Sequence, residues 1–366
     1  MADEEYEIEL DRLTAGYDGQ PLIENLSVAF RKGEVVVLIG PNGAGKSTVL
    51  KSIARQLAWI GGRVVCEGKN IGEMSYAELS EHLAVVLTDR IRPEKMTCRE
   101  VAAAGRYPYT GRLGKLTPED ERKTDEAIRA VHAEEIQDRD FEAVSDGQRQ
   151  RIMLARAFCQ EPDVLVLDEP TSFLDIRYKL ELLTILRQMA KEKGITVIMS
   201  LHEIDLAMKI ADLVICVDHG HTVSADAPEK IFTEDSIRKL FRVEDGFFDP
   251  LSGGIEMPAP AGEPEVFVIS SGGSGIPVFR KLQRENTPFA AGVLFTNDID
   301  YPLAKRLASE VVTAEPFREI PDSCIGQASE IMDRCRRVIN VCRTFGPDNR
   351  KMEQLNRKAA EEGKLS

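Results

Sequence analysis

The chain is 366 residues long, beyond what one ordinary hydrophobic core accommodates, so two cores, or one large core with an appendage, are expected. With 43% apolar and 30% charged residues it has the material to bury those cores, which excludes a small disulfide scaffold and a disordered chain. The 47 Lys and Arg against 61 Asp and Glu leave a net charge of −14 without any basic tract, so no nucleic acid is expected as a partner.

The first residues, MADEEYEIEL, turn acidic at once and lack the positive-then-apolar order of an export signal. From Tyr6 onward, strand-like and helix-like segments alternate. The runs VVVLI (35–39), VLVL (164–167) and ITVIMSL (195–201) read as strands buried on both faces, which means a largely parallel sheet in an α/β fold. None of them approaches the 18 to 20 residues that about 30 Å of hydrocarbon requires.

After VVVLI comes Gly40-Pro41-Asn42-Gly43-Ala44-Gly45-Lys46-Ser47-Thr48, and a helix is expected over Thr48–Leu57. This satisfies G-x-x-x-x-G-K-[ST] in its required setting, between a strand and a helix, and identifies a P-loop NTPase. Glycines let backbone N–H groups turn inward around phosphate, and the helix start adds its dipole. Lys46 reaches the β- and γ-phosphates, and the Ser47 hydroxyl is a Mg²⁺ ligand. A nucleoside triphosphate and Mg²⁺ are therefore expected to bind.

Residues from about 90 to 160 read as a helical subdomain: Pro118 with Glu119 and Asp120 opens one helix, and Gln148–Phe158 places Ile152, Ala155 and Phe158 on one face of another. Asp168 and Glu169 then end VLVL, at the sheet edge where the phosphate loop also lies. Asp168 is the candidate metal carboxylate. Glu169 is the candidate base for the water that attacks the γ-phosphate.

Taken in order, Gly40–Thr48, Val144-Ser145-Asp146-Gly147-Gln148, Leu167-Asp168-Glu169-Pro170-Thr171, Ser172-Phe173-Leu174-Asp175 and His202 resemble the Walker A, signature, Walker B, D-loop and switch-histidine motifs of ABC transporter ATPases, over about residues 6–250. That resemblance implies several roles. Tyr17 would stack on adenine, and His202 would hold the γ-phosphate and the attacking water. Ser145, Gly147 and Gln148 would complete the site of a facing subunit, so the active form would be a homodimer enclosing ATP, with Asp175 also among the nucleotide-binding residues. Asp146 stands where the commonest signature has Gly. The family's Gln after the next strand is missing from LAVVLTDRIRP; Thr88 stands at the best-aligned place with Asp89 beside it, and either would ligate Mg²⁺ or simply cap the following turn.

Val101-Ala-Ala-Ala-Gly105-Arg106-Tyr107-Pro108 further resembles the V-x-x-x-G-R-x-P segment of ATPases that drive import of iron–siderophore complexes, haem and cobalamin. This narrower resemblance implies a peripheral protein at the cytoplasmic face of the cell membrane. It would work with integral membrane permease subunits and, through them, with a periplasmic or lipoprotein substrate-binding protein. The alternative function is a soluble ABC ATPase or a nucleotide-dependent regulator not coupled to transport.

The domains are expected as an ATPase domain over 1–250, a Pro- and Gly-rich linker over 251–264 and a small Rossmann-like α/β domain over 265–366. Residues 1–260 carry the whole −14 and residues 261–366 sum to zero. In the second domain strands are expected at Val266–Ile269, Ala291–Phe295, Val311–Val312 and Val338–Cys342. The helices are Ile276–Arg284, one opened by Asp300 and Pro302, one carrying Ile325, Ala328, Ile331 and Cys335, and one with Pro347 in its first turn. Ser270–Gly275 reads as a phosphate-loop-like turn, with Asp298 about where a ribose-binding acid would lie; this segment is similar to the accessory domain that follows some cobalamin-type importer ATPases. The seven cysteines show no C-x-x-C pair and are expected as free, mostly buried thiols; His82, His132, His219 and His221 receive no role.

Overall fold

The computed structural model describes residues 6–87, 93, 95–111, 114–218 and 223–366. Strands β1 (Tyr6–Tyr17) and β2 (Gln20–Arg31) form a hairpin around Asp18-Gly19, both at positive φ, the backbone of a type I′ turn. Then come β3 (Val35–Ile39), α1 (Lys46–Ile53), β4 (Trp59–Cys66), β5 (Lys69–Asn70), α2 (Tyr76–His82) and β6 (Leu83–Val86). Helix α1 starts two residues earlier than expected and stops at Ile53, short of Leu57.

A helical stretch follows, with α3 (Cys98–Ala103), α4 (Pro118–Ala130) and α5 (Asp146–Cys159) joined by short 3₁₀ turns. Each of the three begins on a reciprocal cap, Thr97 with Glu100, Thr117 with Asp120 and Ser145 with Gln148. The unit is completed by β7 (Val164–Leu167), α6 (Ile176–Lys193), β8 (Thr196–Ser200), α7 (Ile204–Ile210), β9 (Leu213–Val217), β10 (Val223–Asp226), α8 (Pro228–Ile231) and α9 (Glu234–Phe241).

Six strands in the order β10-β9-β3-β8-β7-β6 form the central sheet, parallel except for the edge strand β10. A strand's period of two gives this sheet two buried faces. Val35, Val37 and Ile39 point into a core built with α3 to α7, whereas Val36 and Leu38 point into a second core with Val49, Leu50 and Ile53 of α1 and Ile8, Leu10 and Leu13 of β1. The antiparallel sheet β2-β1-β4-β5 thus covers α1 from outside.

Arg106, from the G-R-x-P segment, is buried in the helical layer. It donates from Nε to Asp120 Oδ1 at 2.9 Å and from a terminal nitrogen to the Cys159 carbonyl at 2.6 Å. Gly105 has to be glycine, since a Cβ there would lie 1.9 Å from the Arg156 carbonyl oxygen of α5.

The chain divides into two compact units, Met1–Val243 with Phe248–Gly254, and Glu244–Phe247 with Ile255–Ser366. Strands β11 (Phe247–Asp249) and β12 (Gly254–Glu256) pair with each other, so the stretch expected as a linker over 251–264 holds a strand. The Glu256 side chain is buried and paired with Arg280, a partner that the local Pro and Gly content does not reveal.

The second unit alternates β13 (Val266–Ile269), α10 (Ile276–Arg284), β14 (Phe289–Phe295), α11 (Tyr301–Leu307), β15 (Glu310–Ala314), α12 (Asp322–Arg334), β16 (Arg337–Asn340) and α13 (Met352–Glu361). Its parallel sheet has the order β15-β14-β13-β16, with α12 and α13 on one face and α10 and α11 on the other. Pro347 precedes α13 in a run of turns instead of opening it, with the Asn349 side chain accepting from the Gly346 N–H at 2.6 Å. Cys335 is the residue that ends α12. All seven cysteines are unpaired and six are buried.

Candidate functional site

The phosphate loop leaves β3 through Gly40, whose φ of 149° and close approach to the Val217 carbonyl both demand glycine. Helix α1 starts at Lys46 after Gly45, with no side-chain cap and no acidic residue in its first turn. Its first N–H groups and its dipole therefore face out of the loop without a competing carboxylate. The Lys46 ammonium is buried and donates to the carbonyls of Gly40 and Pro41 at 2.8 and 3.0 Å. Burial lowers its pKa, while Glu169 and Asp168 oppose that shift. A concave run of N–H groups with a fixed cation beside it fits a polyphosphate.

Around the loop, one hydrogen-bonded chain joins the predicted polar residues. Ser47 donates to Asp168 Oδ1 at 3.1 Å, and Ser200 donates to the same oxygen at 2.8 Å. Ser200 also accepts from the Glu169 N–H at 2.8 Å, so one hydroxyl at the end of β8 orients both residues that follow β7. Glu169 sits in the left-handed region at φ 47°, which turns its side chain out of the strand line. His202 Nε2 lies 2.6 Å from Glu169 Oε1, and Ser172 donates to Oε2 at 3.1 Å. The Ser47 hydroxyl and the Asp168 carboxylate converge as hard oxygen donors, a set that suits Mg²⁺.

Next to His202, the Glu203 carboxylate accepts from Thr171 at 2.9 Å and pairs with Lys179. Burial pushes the Glu203 carboxyl up, but the Lys179 and Thr171 hydrogen bonds outweigh it and hold it below its usual range. Ser200, Glu203 and Lys179 carry no spacing signal in the sequence, whereas Ser172 opens the segment that resembles the D-loop. Ser200 was findable only as a polar residue ending a buried strand two positions before His202.

Other predicted residues serve their own elements. Ser145 caps α5 by accepting from the Gln148 N–H at 3.3 Å, and the Gln148 side chain accepts from the Ser145 N–H at 3.1 Å. Gly147 packs so closely on the Tyr178 ring that a Cβ would lie 3.1 Å from it. Asp146 is exposed and has Arg149 at 3.4 Å, one turn on. Asp175 caps α6, accepting from the Tyr178 N–H at 3.0 Å. Tyr17 ends β1, half exposed. Thr88 and Asp89 lie outside the described residues, as do His219 and His221.

In the second unit the phosphate-loop-like reading of Ser270–Gly275 is corrected. The Asp298 carboxylate accepts from the Gly272 N–H at 3.0 Å, and the buried Asp300 carboxylate accepts from the N–H groups of Gly275 and Ile276 at 3.0 and 3.3 Å. Two internal carboxylates fill the nest that a phosphate would need, and Asp298 is engaged with the turn itself.

A family model described as ABC transporter matches residues 23–172, and one described as the MJ0874 family matches residues 289–365. The chain is 38% identical over 288 residues to the ABC transporter ATP-binding protein MJ0873 of Methanocaldococcus jannaschii, covering 78% of this chain and 99% of that protein. It is 32% identical over 319 residues to the cobalamin import ATP-binding protein BtuD of Halobacterium salinarum, covering 85% of this chain and 79% of that one. Among solved structures, cbiO1 of Clostridium perfringens, part of the ABC transporter complex cbiONQ, superposes with a TM-score of 0.55 at 28% identity, covering 64% of this chain and 94% of that one.

Proposed function

Because this chain belongs to the ABC transporter ATP-binding family, we propose that it is the ATP-hydrolysing subunit of an importer for a metal chelate, either a cobalamin-type corrinoid or an iron–siderophore complex. The observation that carries this reading is the unbroken polar chain from Ser47 through Asp168 and Ser200 to Glu169 and His202, with Lys46 beside it. Lys46 and the loop N–H groups bind the triphosphate. Glu169 accepts a proton from the attacking water, and His202 orients that carboxylate. Bound through Ser47 and Asp168, Mg²⁺ would supply charge neutralisation on the transferred phosphoryl group.

The exposed start of α5 at Ser145 supports a homodimer in which each signature segment faces the partner's phosphate loop. Among the described residues no helix is long and apolar enough to cross a membrane, so transport requires separate permease subunits, with this chain docked on them at the cytoplasmic face. The corrinoid is the favoured cargo because the match to the relative named for cobalamin import runs over 319 residues, further than the first unit alone extends. A soluble ATPase or a regulator uncoupled from transport finds no support among these relatives.

The test is uptake of labelled cobalamin and of a ferric siderophore by cells lacking the gene and complemented with the wild-type or the Glu169→Gln chain. Uptake of one of the two chelates restored only by the wild type bears the reading out. Uptake of neither restored, or equal restoration by both chains, refutes it.

A further inference from the structure

Glu7 on β1 and Glu67, just after β4, stand opposite each other across an antiparallel pair: Ile8 is registered with Cys66, and the Glu67 N–H donates to the Glu7 carbonyl at 3.1 Å. Like charges placed directly opposite destabilise a sheet unless something positive lies with them. The Glu7 side chain is only 5% exposed; its Oε1 has no hydrogen-bond partner, and its Oε2 has the mostly exposed Lys32 at 3.9 Å. A buried carboxylate oxygen left unpaired bears its desolvation cost without return, so a native fold retains one only for a reason.

Two further groups converge there. His82, the last residue of α2, places Nδ1 2.8 Å from Asp163 Oδ2 and 3.7 Å from Glu67 Oε2. One ligand atom from each of Glu67, His82 and Asp163 falls within 4.8 Å of the others. The surroundings report the same crowding. Burial first, then Glu7, Glu67 and Asp163, push the Cys66 thiol up to about 12. Burial also holds the Glu7 carboxyl above its usual range, Asp163 and Glu67 acting in the same direction against Lys32 and His82.

We propose that Glu67, His82 and Asp163, backed by the buried Glu7 carboxylate, form a binding site for one divalent transition-metal ion of the Zn²⁺ class. One imidazole nitrogen with carboxylate oxygens is a donor set of borderline softness, which suits Zn²⁺ better than Mg²⁺. Bonds of about 2.0–2.2 Å set tetrahedral ligand atoms roughly 3.3–3.6 Å apart. The observed separations of 2.8 and 3.7 Å bracket that spacing, so small side-chain shifts close the site.

Its position is distinct from the nucleotide. Asp163 precedes β7 and Asp168 follows it, so the two lie at opposite edges of the central sheet, about 17 Å apart at roughly 3.3 Å per residue. The ion would tie the antiparallel sheet, through Glu67, to the end of α2 and the start of β7. Sequence reading gives His82 no role because its partners, Glu67 and Asp163, come from two other segments of the chain.

The experiment is equilibrium dialysis of the full chain, stripped of metal and free of nucleotide, against Zn²⁺, with Co²⁺ absorption as a spectroscopic probe. One tight Zn²⁺ per chain is expected, together with visible Co²⁺ bands typical of mixed nitrogen and oxygen ligands. His82→Ala and Glu67→Gln should each weaken binding at least about 10-fold. Glu67 is partly exposed, so its variant keeps the test open should His82→Ala fail to fold. Asp168→Asn should retain the ion. Absence of a tight Zn²⁺ in the wild type, or equal affinity in a folded His82→Ala or Glu67→Gln chain, or loss in Asp168→Asn alone, overturns the assignment and leaves His82 as an ion-paired base.

Discussion

His202 Nε2 lies 2.6 Å from Glu169 Oε1, while the opposite oxygen of that carboxylate receives the Ser172 hydroxyl, so Glu169 is held from both sides in a left-handed backbone position. The pairing supports His202 as an orienting group for Glu169, the proposed base. His202→Ala should therefore lower kcat on the order of 10²-fold while the KM for ATP changes by less than about threefold, because Lys46 and the loop still bind the triphosphate. Steady-state ATP hydrolysis measures both. A large rise in KM with kcat preserved would place His202 in binding alone.

Arg106 and Asp120 form an ion pair with both side chains about 5% exposed, supplemented by the Cys159 carbonyl and by Tyr109, whose ring centroid lies 4.0 Å from the guanidinium. Arg106→Ala leaves a buried carboxylate without its counter-charge, which typically costs about 3–5 kcal/mol. Urea unfolding should show that loss. Arg106→Lys should recover only part of it, since an ammonium cannot reproduce the planar fork.

Asp212 ties three elements together. Its carboxylate accepts from the Val35 N–H at 2.9 Å and from Arg187 at 2.6 Å, and its own N–H donates to the Val35 carbonyl at 2.8 Å. Burial raises its pKa, but Arg187 and the Val35 N–H outweigh burial and hold the carboxyl below the usual 3.8. The folded state then binds this proton less readily than the unfolded chain. The resulting stabilisation is complete above the unfolded value, near pH 4, and is lost as pH falls through the lower folded value. Asp212→Asn should melt at a lower temperature than the wild type at neutral pH, and the gap should narrow below pH 4. A gap independent of pH would contradict the ionic part of this account.

The phosphate loop, Asp168, Glu169 and His202 are legible in the sequence because each follows a short apolar run at a strand end, where an α/β sheet collects its chemistry. Ser200 escapes that logic, since a serine ending a strand looks like many others and only the fold brings it between Asp168 and Glu169. The turn at Ser270–Gly275 shows the converse error. Its glycines report the backbone shape correctly, but what fills the nest comes from Asp298 and Asp300, beyond the next strand. Helix starts are legible where a first-turn proline is followed by acidic residues, as at Pro118, and illegible where a proline precedes a run of turns, as at Pro347.

Glu169 is proposed to activate the attacking water without holding the nucleotide. ATP hydrolysis by Glu169→Gln, with ATP binding measured on the same sample, tests it most directly. The amide keeps the size and the hydrogen bonds of the side chain but cannot accept the water's proton, so turnover should fall by about 10²-fold or more while ATP affinity stays near wild type. Because ATP is then bound and not consumed, a dimer should accumulate in gel filtration with ATP present, whereas Lys46→Ala, impaired in binding, should stay monomeric. Hydrolysis near the wild-type rate in Glu169→Gln would contradict the account.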